Sequence, residues 1–421
     1  MLDLKFIRDN IDLVRQNISN KNEKAQIDDI IQLDVERRQI IQEVEKLKNI
    51  RNVVSKEIAE LKKQKLDADD KIAEMKTVSD NIKELDDKLA LIEIEIEKVV
   101  VRIPNMTADF VPVGKSADDN KVVRTFGDKP VSKCGKNHID IAKALNIIDF
   151  ERGSKVSGGG FAFYRGKGAK LERALINFMI DYHLENHNYT ELIPPFLVNE
   201  NSMFGTGQLP KMAEDMYYAQ EDKMYLIPTA EVPITNYHNG EVLQGNELPI
   251  KYCGYSPCFR REAGSYGKEV RGFLRVHQFN KVEMVNFAKP EDSFEQLQIL
   301  VGEAEDIVKA LGLYYRVLLL CTGDTSFSSA VTYDIEVFTP GEEMWLEVSS
   351  CSNFTDFQAR RANIRFKKEP SSKPEFIHTL NGSGLATSRI MVTMLEQYTD
   401  ENMVFHVPEV LVKYCGFSTI Q

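Results

Sequence analysis

The chain contains no run of about 18 apolar residues, the length at which a helix can cross a bilayer, so no membrane span is expected. Its six cysteines, Cys134, Cys253, Cys258, Cys321, Cys351 and Cys415, are scattered without a CxxC pair. That spacing signals neither a disulfide framework nor a zinc site, and no structural zinc is expected. Neither GxxxxGK[ST] nor GxGxxG occurs, so the usual glycine-rich phosphate loops are not indicated, and SGGG at 157–160 is better explained as a turn. The first residues, MLDLKFIRDN, lack both the apolar block of a signal peptide and the acid-poor, Arg/Ser-rich character of a transit segment, which predicts a cytoplasmic protein. An excess of positive charge is missing too. A net charge of −11 argues against a surface built for indiscriminate nucleic-acid binding, while leaving room for a local basic strip.

What is present is 421 residues at 43% hydrophobic, enough for one large core and a smaller module. Residues 1–26 predict a short amphipathic helix with Leu4, Ile7, Ile11, Val14 and Ile18 on one stripe. The next stretch changes character. Leu33, Arg37, Ile40, Val44, Leu47, Arg51, Val54, Ile58 and Leu61 alternate by four and three, and after a break at 65–70 so do Met75, Val78, Ile82, Leu85, Leu89, Ile92, Ile96 and Val99. Two heptad arms joined by so short a link must double back, which predicts an antiparallel α-helical coiled-coil hairpin over about 27–100 with its tip near Leu66. An arm of about 36 residues spans roughly 54 Å, too long to lie over a compact core of this size without projecting.

The two arms differ in charge. Residues 36–65 carry nine Lys/Arg against five Asp/Glu, and residues 66–100 five against eleven. Pairing between solvated faces explains much of this. Lys48, Arg51, Lys56, Lys62 and Lys63 nevertheless run along one arm toward the tip, and a projecting rod with a basic edge suits a phosphate backbone. A partner-protein coiled coil or a plain spacer would look similar.

Pro104, Pro112, Gly114, Gly127 and Pro130 mark residues 105–135 as a linker, dividing the chain into an N-terminal module at 1–104 and a second domain at 136–421. Beyond a helix around Leu171, Leu175, Phe178, Met179 and Tyr182, the second domain is β-rich with tight links and few βαβ units. This predicts the α+β class with a mostly antiparallel sheet flanked by helices. Its centre is FRREAGSYGKEVRGFLRVHQFNKVEMV at 259–285, which reads as strand, loop punctuated by Gly264, Gly267 and Gly272, and strand. On the returning strand Arg275, His277, Phe279, Lys281 and Glu283 fall at every second position and so share one face. That face is either a solvated outer strand or a platform for something flat and anionic that also offers an amine.

ELIPPFLV with Pro195, the FRRE hairpin and NGSGLATSR leading into a helix resemble the three ordered motifs of class II aminoacyl-tRNA synthetases. PTAEVPITN at 228–236, EVSSCSNFTDFQARR at 347–361 and HTLNGSGLATSR at 378–389, with the heptad hairpin placed before them, resemble the seryl-tRNA synthetase family over essentially the whole chain. The resemblance implies activation of L-serine by ATP to seryl-adenylate, transfer to tRNA(Ser) and also tRNA(Sec), Mg²⁺ with the ATP, and a homodimer. It implies that Arg260 bridges the serine carboxylate and the α-phosphate, a task suited to a planar fork of donors. Glu262 would contact ATP, Phe279 would stack the adenine, Arg389 would meet the triphosphate from the other side, and Arg260, Glu262 and Arg389 would be the catalytic set. Arg261, the Val276 backbone, Glu347, Val348, Ser349 and Ser350 complete the ATP site, with Glu347 and Ser350 as oxygen ligands for Mg²⁺. Serine would be held by Thr229, Ala230, Glu231, Arg260, Glu283, Asn381 and Ser383. Either Glu231 or Glu283 would face the ammonium and the other the hydroxyl. Without the resemblance, Thr229 and Glu231 would be a helix start and Ser383 a turn or cap.

Thr387 and Ser388 stand where the family often has Val-Gly, and Arg261 where serine is frequent. A relative that loads a carrier protein would lack the long hairpin, and a non-enzymatic descendant would have lost Arg260, Glu283 or Arg389.

Overall fold

The computed structural model describes residues 1–263 and 272–421, so Gly264 and Gly267 lie outside the described residues. The chain divides into two compact units, one of residues 2–19 and 23–104, the other of residues 1, 20–22 and 105–421.

In the first unit the helix expected over 1–26 is two helices, α1 (Leu4–Asp9) and α2 (Ile11–Asn20). Asp3 caps the first by accepting from the Lys5 and Phe6 amides, and at Asn10 both the backbone and the side-chain amide turn back to the Phe6 carbonyl, closing the helix. The hairpin follows as α3 (Ile27–Lys63) and α4 (Asp69–Val100), with Leu66 in the reversal. Every residue of the two expected stripes is buried or half-buried, and Ile40, Val44, Met75, Ile82, Ile92 and Ile96 are fully so. The opposite charges of the arms pair across the seam: Lys88 with Glu36 at 2.8 Å, Arg37 with Glu93 at 2.9 Å, Lys48 with Asp86 at 3.4 Å, and Lys71 with Glu57. Those partners also fix the arms as antiparallel.

The second unit is built on an eight-stranded sheet. Its strands are β1 (Lys121–Phe126), β2 (Thr190–Glu191), β3 (Ile250–Phe259), β4 (Gln278–Ala288), β5 (Tyr315–Leu319), β6 (Val331–Thr339), β7 (Met344–Asn353) and β8 (His378–Ala386). They lie in the order β1-β5-β6-β7-β8-β4-β3-β2, every pair antiparallel except β2 with β3. The helices Lys167–His187, Ser293–Ala310 and Thr387–Tyr398 pack on this sheet and share one apolar core with it, in which Leu171, Leu175, Leu300, Ile335 and Leu395 are wholly buried.

Two expectations need correction. Residues 105–135 are not a linker throughout, because Lys121–Phe126 is the edge strand β1 in antiparallel register with β5. All six of its residues are exposed, so no alternation marked it; it joins through backbone bonds, and Arg124 also pairs with the buried Glu305 carboxylate. The five-residue face of the returning strand is also shorter than expected. The strand begins only at Gln278, and Lys281 and Glu283 are buried, with a register shift against β8 between them.

Candidate active site

Two adjoining cavities open at the end of the sheet where β3 finishes and the helix Thr387–Tyr398 begins. Arg260, Glu262, Arg275, Lys281, Glu347 and Ser383 line both. The narrow one is completed by Phe273, Val276, Phe279, Val348, Ser388 and Arg389, the wide one, of about 500 Å³, by Thr229, Glu231, Ser350 and Asn381. Residues scattered over 160 positions of sequence are thus brought to one cleft because β3, β4, β8 and β7 are neighbours in the sheet.

At the narrow end the Arg260 guanidinium lies 5.2 Å from the centre of the Phe279 ring, and its Nε donates to the Pro228 carbonyl at 3.3 Å. A cation over an aromatic face is attracted by the ring quadrupole, which keeps the fork on this wall. Glu262 sits at φ +51°, a left-handed conformation that an L residue holds only under constraint, and its Oε2 accepts from Arg275 Nη1 at 2.9 Å. Arg389, three residues into its helix, donates to the Glu347 carbonyl at 2.7 Å and lies 3.3 Å from the Glu347 carboxylate.

The wide end is organised round a sealed carboxylate. Glu283 is fully buried, forms an ion pair with buried Lys281, and accepts from Thr229 Oγ1 at 2.6 Å and from Asn381 Nδ2 at 3.3 Å. Ser383 stands directly opposite it in the β4–β8 ladder. Ser383 is therefore a strand residue, not the turn or cap its NGSG setting suggested. Glu231 opens the helix Glu231–Thr235 as expected, yet it is buried as well, and Gln358 Nε2 donates to its Oε1 at 2.7 Å. Burial first, and then the charge of Glu283, push the Glu231 carboxyl up to about 7 against the weaker pull of Gln358, Lys281 and Arg260. A half-neutral acid beside a polar cleft is poised for a cation.

Not every expected residue meets the cleft. Ala230 is buried in a separate apolar cluster with Ile234 and Leu243, and Ser349 lies beneath the surface, donating to the Ser383 carbonyl at 2.6 Å. Arg261 is exposed and its backbone amide donates to Asp215. His277 turns away from Phe279, stacking on Phe161 with centroids 5.6 Å apart and with Nδ1 at 2.9 Å from the Arg260 carbonyl. Thr387, the position that departs from the common pattern, is wholly buried; its hydroxyl lies 3.0 Å from the Asn280 carbonyl and 2.5 Å from Glu172 Oε1. The hydroxyl donates to Glu172 Oε1, which opposes the upward push of burial on that carboxyl, and the Asn280 carbonyl is a second acceptor within reach of the same proton. Thr387 thus ties the Arg389 helix to β4. Ser388 faces the narrow cavity.

Three residues that matter here lie outside the ATP and serine sets, although Arg275 and Lys281 belong to the platform face expected from the strand pattern. Arg275 and Lys281 line both cavities. Asp334 stands opposite Ser350 in the β6–β7 ladder with a buried Oδ1 that has no hydrogen-bond partner, and burial and then the charge of Glu347 raise its pKa well above the carboxylate range. Two acids, Asp334 and Glu336, inside the largely apolar run VTYDIEVF were the available signal for it.

The fold and this cleft define a class II aminoacyl-tRNA synthetase core: residues 215–398 match the family model "tRNA synthetase class II core domain (G, H, P, S and T)", and residues 1–107 match "Seryl-tRNA synthetase N-terminal domain". A "Serine--tRNA ligase" of Chloroherpeton thalassium is 54% identical over 431 residues, covering all of both chains. Among solved structures, seryl-tRNA synthetase from Pyrococcus horikoshii, complexed with ATP, superposes with a TM-score of 0.94 at 37% identity, over 100% of this chain and 99% of that one. The cytoplasmic serine–tRNA ligase of Naegleria fowleri, in complex with AMP, follows at 0.87 and 32%, with the same coverage. The chain belongs to the seryl-tRNA synthetase family of ligases. No helix among its described residues is long and apolar enough to cross a membrane.

Between pH values near 4.5, where the carboxyl ionises when unfolded, and about 7, the folded protein holds more protons at Glu231 than the unfolded chain. The group's contribution to stability therefore falls as pH rises through that window. Glu231→Gln should match the parent's unfolding stability near the lower limit and exceed it above the upper one by on the order of 3 kcal/mol. Urea unfolding of the ligand-free protein measures this, and parallel stability curves across the window would contradict a raised Glu231.

Proposed function

We propose that the cleft activates L-serine with ATP and passes the seryl group to tRNA(Ser). The observation that carries this is the juxtaposition of a guanidinium on an aromatic wall at the narrow end with two buried carboxyls at the wide end, Glu231 lining the cavity and Glu283 bonded to Lys281, Thr229 and Asn381. In the first step a serine carboxylate oxygen attacks the α-phosphorus and pyrophosphate leaves. In the second, a hydroxyl of the terminal ribose attacks the acyl carbon and AMP leaves. Charge accumulates round the α-phosphate, so positioning and fixed cations supply most of the rate.

In this reading Arg260 bridges the carboxylate and the α-phosphate, Phe279 stacks the adenine with the Val276 backbone alongside, and Arg389 and Glu262 flank the triphosphate. Arg275, held by Glu262, adds a further cation. Val348 lines the nucleotide end, while Arg261 and Ser349, which line neither cavity, support it from outside. Glu347 and Ser350 offer only oxygens, and the partnerless buried oxygen of Asp334 beside them favours a hard cation, so the residues present fit Mg²⁺. Such an ion would neutralise phosphate charge.

The two carboxyls divide the labour. Glu231, raised toward neutrality and lining the cleft, takes the serine ammonium. Glu283, with its orientation fixed by Lys281, Thr229 and Asn381, reads the hydroxyl together with Ser383. Alanine offers no hydroxyl to these groups, and a site built to hydrogen-bond a hydroxyl discriminates more strongly than the roughly 1–3 kcal/mol available from excluding the extra methyl of threonine. Ala230 serves as backbone support.

Residues 1–104 are assigned to tRNA and residues 136–421 to catalysis. Lys56, Lys62 and Lys63 are exposed on α3 and Arg51 is half-buried, whereas Lys48 already faces Asp86. A rod of this kind recognises shape and phosphate, so tRNA(Sec) falls within the same proposal, and a cytoplasmic location accompanies it. A homodimer is supported by apolar surface beside the short edge strand β2: Ile193 is 84% exposed and Leu197 46%.

Serine-dependent ATP–pyrophosphate exchange should be present and should fall by roughly 100-fold or more in Arg260→Ala; exchange indifferent to that change would overturn the role of Arg260. Removing residues 36–98 should leave exchange intact and abolish charging of tRNA(Ser), and surviving charging would show that the hairpin is not the RNA reader. Sedimentation equilibrium should give twice the chain mass, a monomer refuting the dimer.

A further inference from the structure

His138 is wholly buried at the start of the helix His138–Ala144, away from either cavity. Its backbone amide donates to Glu396 Oε1 at 2.9 Å and its Nδ1 lies 3.2 Å from the same oxygen. Glu396 Oε2 accepts from the Gly341 and Glu342 amides at 2.9 and 3.2 Å. On the far side of the ring, the Phe273 amide donates to His138 Nε2 at 3.4 Å. An amide can only donate, so Nε2 is the acceptor and Nδ1 carries the proton toward Glu396. The ring comes so close to the chain at Gly272, where φ is +57°, that a Cβ there would stand 2.2 Å from Nε2.

With Glu342 Oε1 at 3.9 Å from Nδ1, the group has the make-up of a metal site. Each Glu396 oxygen already accepts two N–H bonds, however, and both ring nitrogens are engaged. The carboxylate instead orients the ring, as carboxylates orient histidines elsewhere.

What the ring holds is the return leg of the central loop. Phe273, Leu274, Arg275 and Val276 line the narrow cavity, and Glu396 rides on the helix that carries Arg389. We propose that His138 is a positioning residue for the nucleotide end of the cleft, joining the Arg389 helix to residues 272–276 through Glu396 on one side and the Phe273 amide on the other. The inference rests on the proposed reaction, since it assigns ATP to the narrow end and serine to the wide end.

The test compares His138→Asn with His138→Gln in serine-dependent exchange. An asparagine amide can replace Nδ1 toward Glu396 but does not reach Phe273, whereas a glutamine oxygen falls near Nε2 and can accept from Phe273. His138→Asn should raise KM for ATP about tenfold, the size expected for one lost buried hydrogen bond, and leave KM for serine within about twofold, while His138→Gln should recover most of the ATP effect. Gly272→Ala, which pushes the chain off the ring, should repeat the ATP-selective rise without altering His138. Equal effects of Asn and Gln, proportional changes in both KM values, or an unaltered KM for ATP in Gly272→Ala would each overturn the positioning role. Absence of exchange in the unmodified protein would instead overturn the proposed reaction.

Discussion

The Lys281–Glu283 ion pair is the constraint on which the wide end of the cleft depends. Both side chains leave water, at a cost that their mutual attraction meets only if the remaining hydrogen-bonding capacity is also satisfied. Thr229 and Asn381 supply those bonds, and they come from the segment before the helix Glu231–Thr235 and from β8. One carboxylate on β4 therefore fixes the relation of three chain segments, and removing either charge would strand the other at about 3–5 kcal/mol. Its charge also adds to the effect of burial in pushing Glu231 upward, so the acid that lines the cleft is tuned in part by the one that does not.

Sheet order does the rest. In β7-β8-β4-β3 the strands bearing Ser350, Ser383, Phe279 and the approach to Arg260 lie side by side, although they are far apart in sequence. The helix Thr387–Tyr398 leaves directly from β8, so Arg389 is delivered to the same end with no loop between, and the buried Thr387 hydroxyl fastens that junction to the Asn280 carbonyl. The narrow end is consequently walled by a helix start and a loop return, and the wide end by strands. Two kinds of rigidity meet at Arg260.

The long hairpin was legible because its two stripes repeat over many turns and because its arms carry complementary charge, both local properties. The α+β class was legible from strand-like runs with tight links. Strand β1 was not, since an edge strand with no buried residue has no alternation to display. Nor was the break at Asn10, which depends on capping bonds rather than on apolar spacing. Period-2 counting from Arg275 to Glu283 assumed a strand that in fact begins at Gln278, and so it put His277 beside Phe279 when its ring stacks on Phe161.

Residue identities alone determined the chemistry available: which arginines, acids and hydroxyls occur in which ordered segments, and that a heptad rod precedes a β-rich domain. Those are properties of neighbouring residues and repeat lengths, which survive without knowledge of long-range contacts. Only the tertiary structure decided which acid is sealed and which faces the cleft, because burial depends on the strand across the ladder and not on the residue's own neighbours. Glu231 and Glu283 have the same side chain; their difference lies in what packs around them.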